Sequence, residues 1–300
     1  MPRSVAELVN LLDLEVIEDN LFRGRQPDTD VQRVFGGQVA AHALVAATRT
    51  APPGFDVHSF HAYFLRPGDP SVPIVYDVET LRSGRSFATR RVLARQHGRP
   101  IFVTAANFQV PEGGYEHHEL LPEGVPEPEA CPALVHGPPD PDAVSAAITR
   151  AWEREWAAFD VRDAGSSAPG GGLADREVPA RSRLWIRVNG RLPDDQLQHL
   201  AAFTYASDMP LLAATMLPHG PFLGNTNLQA ASLDHTIWFH RRFRADEWWL
   251  YDQRSPSASG GRGLAFARVF TADGRLVASV AQEGLIRPHA STAFDGANPA

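Results

Sequence analysis

The chain has 300 residues, 43% of them hydrophobic and 21% charged, which is enough for one large core or two fused smaller ones. Its net charge of −7 argues against sequence-independent nucleic-acid binding, which needs many clustered cations. A single cysteine, Cys131, excludes an internal disulfide and a multi-cysteine metal site, and the absence of lysine excludes Schiff-base, phosphate-loop-lysine and Ser–Lys chemistry.

Residues 5–12 are amphipathic and residues 1–12 lack the apolar stretch of a signal peptide. No run is long and apolar enough to span a bilayer, so no membrane partner and a cytoplasmic location are expected. Residues 37–50 are Ala-rich and Pro-free and predict a helix. Extended runs at 87–96 and 101–110 flank His97-Gly98, a hairpin signal because glycine supplies the positive φ of a tight turn. Residues 113–180 are rich in Pro, Gly, Ala and acidic side chains; they read as a linker with one helix at about 142–159, and Cys131 as an incidental loop thiol in it. Residues 194–216 predict a second helix, interrupted at Pro210, which removes a helical hydrogen bond. Runs at 264–271 and 276–286 flank a second hairpin turn, Asp273-Gly274.

The two halves repeat. Tyr63-Phe64-Leu65-Arg66 corresponds to Trp238-Phe239-His240-Arg241, and Tyr76-Asp77 to Tyr251-Asp252, both at an offset of 175. Gly84-Arg85-Ser86-Phe87 matches Gly261-Arg262-Gly263-Leu264 at 177, and His97-Gly98-Arg99 matches Asp273-Gly274-Arg275 at 176. Each half thus predicts a helix followed by an antiparallel sheet, whose apolar face needs that helix as cover.

Several strings resemble the acyl-CoA thioesterase II family. In the first half they are Leu21-Phe22-Arg23-Gly24, Val34-Phe35-Gly36-Gly37-Gln38-Val39 and His58-Ser59-Phe60-His61-Ala62-Tyr63-Phe64-Leu65-Arg66-Pro67-Gly68-Asp69. In the second they are Trp185-Ile186-Arg187, Tyr205-Ala206-Ser207-Asp208, Leu233-Asp234-His235-Thr236-Ile237-Trp238-Phe239-His240-Arg241 and Ala281-Gln282-Glu283-Gly284. The resemblance implies an α+β double hot-dog: an N-terminal hot-dog unit at 1–112, the linker at 113–180, a C-terminal unit at 181–290 carrying the catalytic residues, and a tail at 291–300. It implies hydrolysis of fatty acyl-CoA to free acid and CoA, with acyl-CoA as the small-molecule partner, no cofactor beyond the CoA of the substrate, and further pairing into a homo-oligomer. By motif its catalytic set falls on Asp208, Ser232 and Gln282.

These residue types suit the chemistry. A thioester is already activated, so an enzyme need only hold a water, take its proton and stabilise the oxyanion. A partly desolvated Asp has a raised pKa that suits a base. A hydroxyl and a carboxamide can fix one water in one orientation. A free N–H at a helix N-terminus is an oxyanion donor, and a kink at Pro210 is expected to expose one near Asp208. Asp208 also reads as a helix cap. Arg66, Arg85, Arg241 and Arg262 read either as ion pairs within each sheet or as contacts to CoA phosphates. Opposite Asp208 the first half offers Gln38 or His42, and opposite Gln282 it offers Ala106, so the duplication reads as asymmetric. The alternatives are a non-catalytic acyl-CoA sensor and a hot-dog hydratase or dehydratase, whose families resemble users of a His/Asp pair on the central helix; here Asp208 has no histidine one turn away, and His199 is nine residues off. His58 and His61, at i and i+3 of a strand, read as packing rather than a metal pair, as do His235 and His240.

Overall fold

The computed structural model describes residues 1–27, 29, 32–134, 153, 156–168, 170–173, 180–220 and 228–289. The first half begins with α1 (Val5–Leu12), where the Glu7 N–H donates to Ser4 Oγ at 3.2 Å as an N-cap. Then come β1 (Glu15–Glu18), β2 (Leu21–Gly24), α2 (Gly36–Thr50), β3 (Asp56–Phe64), β4 (Ile74–Ser83), β5 (Phe87–Gln96) and β6 (Arg99–Gln109). The second half contains β7 (Phe159–Ser166), β8 (Arg181–Val188), α3 (Gln196–Ser207), α4 (Leu211–Ala214), β9 (Leu228–Ser232), β10 (Asp234–Phe239), β11 (Trp249–Ser259), β12 (Arg262–Thr271) and β13 (Leu276–Pro288).

All these strands form one antiparallel sheet in the order β1-β2-β4-β5-β6-β3-β10-β13-β12-β11-β8-β7, with β9 also on β13. The sheet curls around α2 and α3, which pack on each other. Every residue of α2 at positions 37–47 is buried. A helix buried all round needs small side chains to approach its neighbours, which is the use of its alanines. This is the expected helix-plus-sheet unit, present twice.

The halves join where β3 pairs with β10. His61 faces Thr236 there, and these are repeat-equivalent positions, so the pseudo-twofold axis passes between them. The offset of 175 persists through β12: the pairs Tyr76↔Ala94 and Ser83↔Ala88 correspond to Tyr251↔Val269 and Ala258↔Gly263. It becomes 176 in β13 because of the turns. The first hairpin closes over His97-Gly98, both at positive φ (49° and 72°). The second spans Ala272-Asp273-Gly274, with the Thr271 N–H bonded to the Arg275 carbonyl at 3.0 Å, so it carries one extra residue. The match of Gly84-Arg85 with Gly261-Arg262 at 177 is corrected by this register: those glycines occupy different positions of their turns.

The segment 113–180 is more than a linker. β7 lies within it and pairs with β8, Phe159 opposite Val188 and Val161 opposite Ile186. Its apolar–polar alternation covers only Phe159-Asp160-Val161-Arg162 before Asp163, Gly165 and Ser166 break it, which is short for a strand signal. The helix expected at 142–159 falls mostly outside the described residues, and Phe159 itself opens β7. Cys131 is not a loose thiol: it is buried with Ala164, Trp185, Leu250 and Phe270, and burial pushes its pKa up. No helix among the described residues is long and apolar enough to cross a membrane.

Candidate active site

α3 starts at an Asp195 cap, whose carboxylate accepts from the Leu197 N–H at 3.1 Å. It ends at Ser207 because Pro210 cannot continue the hydrogen-bond ladder. Asp208 occupies the C-cap position, with φ −80° and ψ −13°, and is only 7% exposed. The break lets its side chain leave the helix axis and meet two residues from the sheet. Ser232, at the end of β9, donates from Oγ to Asp208 Oδ1 at 3.0 Å. Gln282, on β13, donates from Nε2 to Asp208 Oδ1 at 2.5 Å and to Ser232 Oγ at 2.6 Å. The three residues selected from the sequence, far apart in the chain, therefore form one closed triangle.

Burial drives the Asp208 carboxyl up to about 6, against the hydrogen bonds from Gln282, Ser232 and the Gly37 N–H that favour its charged form. The Gly37 donor comes from the first half. α2 has Phe35 at its N-cap position, with no side-chain cap of its own. Asp208 supplies that cap from the other half. The cap reading and the reactive reading of Asp208 are thus one arrangement, but the capped helix is α2. This corrects the expectation that a kink at Pro210 would provide the free N–H: α4 is a four-residue turn, and the helix N-terminus aimed at Asp208 is α2's. The twofold packing of the helices sets the N-terminus of α2 against the C-terminus of α3.

Two glycines permit this approach. A Cβ on Gly36 would lie 2.5 Å from Asp208 Oδ2 and 2.9 Å from the Phe64 ring. A Cβ on Gly37 would lie 2.2 Å from the Tyr205 carbonyl oxygen. The sequence held a signal for them, since two adjacent glycines at the head of an Ala-rich helix oppose its propensity and call for a packing reason.

Asp208 and Ser232 lie on the wall of a cavity of about 430 Å³ between the halves. Phe35, Val39, Phe64, Phe102, Met209 and Leu212 make it largely apolar, and Arg33 and Arg66 also face it. Arg66 donates to the Pro100 carbonyl at 2.7 Å. Its repeat partner Arg241 donates to the Leu276 carbonyl at 2.9 Å, and Arg262 pairs with Glu283 at 3.0 Å.

The twofold produces a counterpart cavity of about 270 Å³, where Val57, His58, Phe239 and Arg241 stand for Ser232, Leu233, Phe64 and Arg66. It lacks the triangle. Ala106 is opposite Arg90 there, as Gln282 is opposite Ala265. The buried Arg90 guanidinium donates to the Thr50 carbonyl, at 3.1 Å from Nε and 2.8 Å from Nη2, and so occupies the C-terminus of α2. Gln38 and His42 are corrected as counterparts of Asp208. Gln38 donates to the Arg25 carbonyl at 3.1 Å, while His42 contacts the Leu11 carbonyl at 2.7 Å and Tyr76 Oη at 3.1 Å. His199 belongs to another cluster, accepting the Ala245 N–H at 3.2 Å beside Asp246.

A family model described as acyl-CoA thioesterase matches residues 170–285, and one for the acyl-CoA thioesterase N-terminal domain matches residues 25–109. Acyl-CoA thioesterase 2 of Haemophilus influenzae is 40% identical over 284 residues, spanning 93% of this chain and 96% of its own. The chain belongs to the acyl-CoA thioesterase family. Human acyl-coenzyme A thioesterase 8 is 37% identical over 93% of this chain and 88% of its own. The crystal structure of an acyl-CoA thioesterase II from Mycobacterium marinum superposes with a TM-score of 0.80 at 41% identity, covering 95% of this chain and 99% of that one. A hot-dog protein from Alicyclobacillus acidocaldarius, 20% identical over 93% of this chain and 97% of its own with a TM-score of 0.72, shows the same fold.

Proposed function

We propose that this protein hydrolyses fatty acyl-CoA to free fatty acid and CoA by direct attack of water, with Asp208 as general base and Ser232 and Gln282 orienting that water. The triangle of Asp208, Ser232 and Gln282 on the wall of a largely apolar cavity is the observation that carries this reading. Water binds among the three groups and gives a proton to Asp208 as its oxygen bonds the thioester carbon. The negative charge that forms on the carbonyl oxygen is stabilised by the N-terminal turn of α2, whose N–H groups carry the positive end of the helix dipole. Collapse of this intermediate breaks the C–S bond, and the proton passes from Asp208 to the departing thiolate. Water is the only co-substrate and no cofactor takes part. Arg33 and Arg66 are the cations at the cavity suited to CoA phosphates, through the planar fork of the guanidinium.

Release of CoA thiol from acyl-CoAs of graded chain length tests the reaction. Tight binding of acyl-CoA without any thiol release would leave a sensor instead of an enzyme. The pH dependence follows from Asp208. Its carboxylate must be ionised to accept a proton, and its pKa is raised to about 6. kcat/KM is therefore expected to climb about tenfold per pH unit below that value and level off above it. A rate that is flat from pH 5 to 8, with the protein folded throughout, would remove Asp208 as the base.

The reading includes a cytoplasmic site of action and self-association. Tyr63 and Trp238, 60% and 40% exposed on the central pair β3–β10, offer an aromatic contact for a second copy. Sedimentation velocity is expected to show a species larger than the 32.8 kDa chain, and a monomer at all micromolar concentrations would exclude it.

A further inference from the structure

Behind Gln282 lies a histidine that the reaction does not use. β10 and β13 pair with Thr236 opposite Ala281, so the next rung sets His235 opposite Gln282. Both side chains are fully buried on the inner face. Directly opposed residues of an antiparallel pair have Cβ atoms within about 5.5 Å, close enough for a ring and a carboxamide to meet. The ring lies close enough to Gln282 for the carboxamide to favour its protonated form. Gln282 Oε1 and His235 Nδ1 are both buried, and neither has a hydrogen-bond partner among the described residues, which leaves each as the complement of the other. On its far side the ring is anchored by Ser207, whose Oγ lies 2.8 Å from His235 Nε2. Ser207 immediately precedes Asp208, and the Tyr251 hydroxyl donates to the Ser207 carbonyl at 2.9 Å.

We propose that His235 is a positioning residue that holds the Gln282 carboxamide in the one orientation able to serve Asp208 and Ser232; this rests on the catalytic reading of that triangle. A carboxamide has nearly the same shape when its oxygen and nitrogen exchange places. In the observed orientation both N–H groups of Gln282 point toward Asp208 and Ser232, the side on which the attacking water is held. Flipped, the amide would turn its oxygen toward a carboxylate, and the triangle would lose both bonds. A donor on the opposite side holds the amide oxygen as well and so adds to that preference. A neutral imidazole with its proton on Nδ1 is such a donor, and its Nε2 can then accept from the Ser207 hydroxyl, for which the Thr204 carbonyl at 3.0 Å is the competing acceptor. Burial holds the ring neutral, with its pKa down at about 4. His235 reaches the reacting atoms only through Gln282.

The test is a double-mutant cycle between His235→Ala and Gln282→Ala, with His235→Asn and His235→Gln alongside, reading kcat, KM and thermal unfolding for each. His235→Ala is expected to lower kcat about tenfold or more with KM changed less than about twofold, because misorientation costs rate and leaves binding in place. On the Gln282→Ala background the same change should cost nothing further, since the carboxamide it orients is gone. The amide of Asn reaches the Nδ1 position and should restore kcat to within a few fold, whereas the amide of Gln reaches the Nε2 position and should not. Equal losses from His235→Ala on both backgrounds overturn the proposal. So does a parental kcat in His235→Ala while Gln282→Ala is slow. Parental activity in Gln282→Ala overturns the catalytic reading itself and the inference with it. If His235→Ala does not fold, the comparison of Asn with Gln decides, and equal rates for those two count against the proposal.

Discussion

Replacement of Asp208 by Asn is expected to cut thiol release from acyl-CoA at least about a hundredfold, the usual contribution of a positioned general base. Asn keeps the shape, and its oxygen can accept from Ser232 and Gln282 as Asp208 Oδ1 does, but it cannot take a proton from water. The same substitution should not weaken the fold. The Asp208 pKa is about 6 in the folded chain, against an ordinary 3.8. Between those values the folded state binds the proton more tightly than the unfolded state, so stability falls as pH rises from about 4 to about 6, and the whole penalty is present above that window. Asn is neutral at every pH and escapes it. At pH 8 the variant should unfold at a temperature no lower than the parent, with an advantage that shrinks toward pH 4. An active variant, or one less stable than the parent at pH 8, would contradict the assignment. Reactive groups held at a cost to stability are a common trade in enzymes.

Gly36→Ala should lower kcat/KM by about a hundredfold, because a shift of about 1 Å in a reacting group has that effect. The added methyl would lie 2.5 Å from Asp208 Oδ2 and 2.9 Å from Phe64, so the carboxylate must swing away from its partners. Those neighbours are side chains beside a cavity and can yield, so little stability should be lost. Gly37→Ala should behave differently. Its methyl would lie 2.2 Å from a backbone carbonyl of α3, and the two central helices would have to separate. Overpacking of that kind costs about 1–3 kcal/mol or more. Gly114→Ala, with open space around the added atom, is the control and should change neither property. Parental kinetics in Gly36→Ala would show that the N-terminus of α2 is not part of the site.

The repeat, both central helices and the hairpins were legible in the sequence because each rests on a local signal. Examples are the Pro-free alanine run before Thr50, the turn at His97-Gly98, the break at Pro210, and an offset between halves that varies by no more than two residues. β7 carried only a four-residue alternation, Phe159 to Arg162, among turn-forming residues. It holds its place because β8 offers a free edge, which exists only after the sheet has formed. Asp208, Ser232 and Gln282 were reached through family motifs, and their types suited the chemistry. What they do to one another was not legible, since the bonds joining them span 24, 74 and 50 residues of chain. The sequence by itself determined a duplicated helix-and-sheet chain in which only the second copy carries the carboxylate, hydroxyl and carboxamide. Tertiary structure alone decided that the site is shared. The twofold packing of α2 against α3 brings an uncapped helix N-terminus from the first copy onto Asp208 of the second, and burial at that junction raises its pKa to about 6.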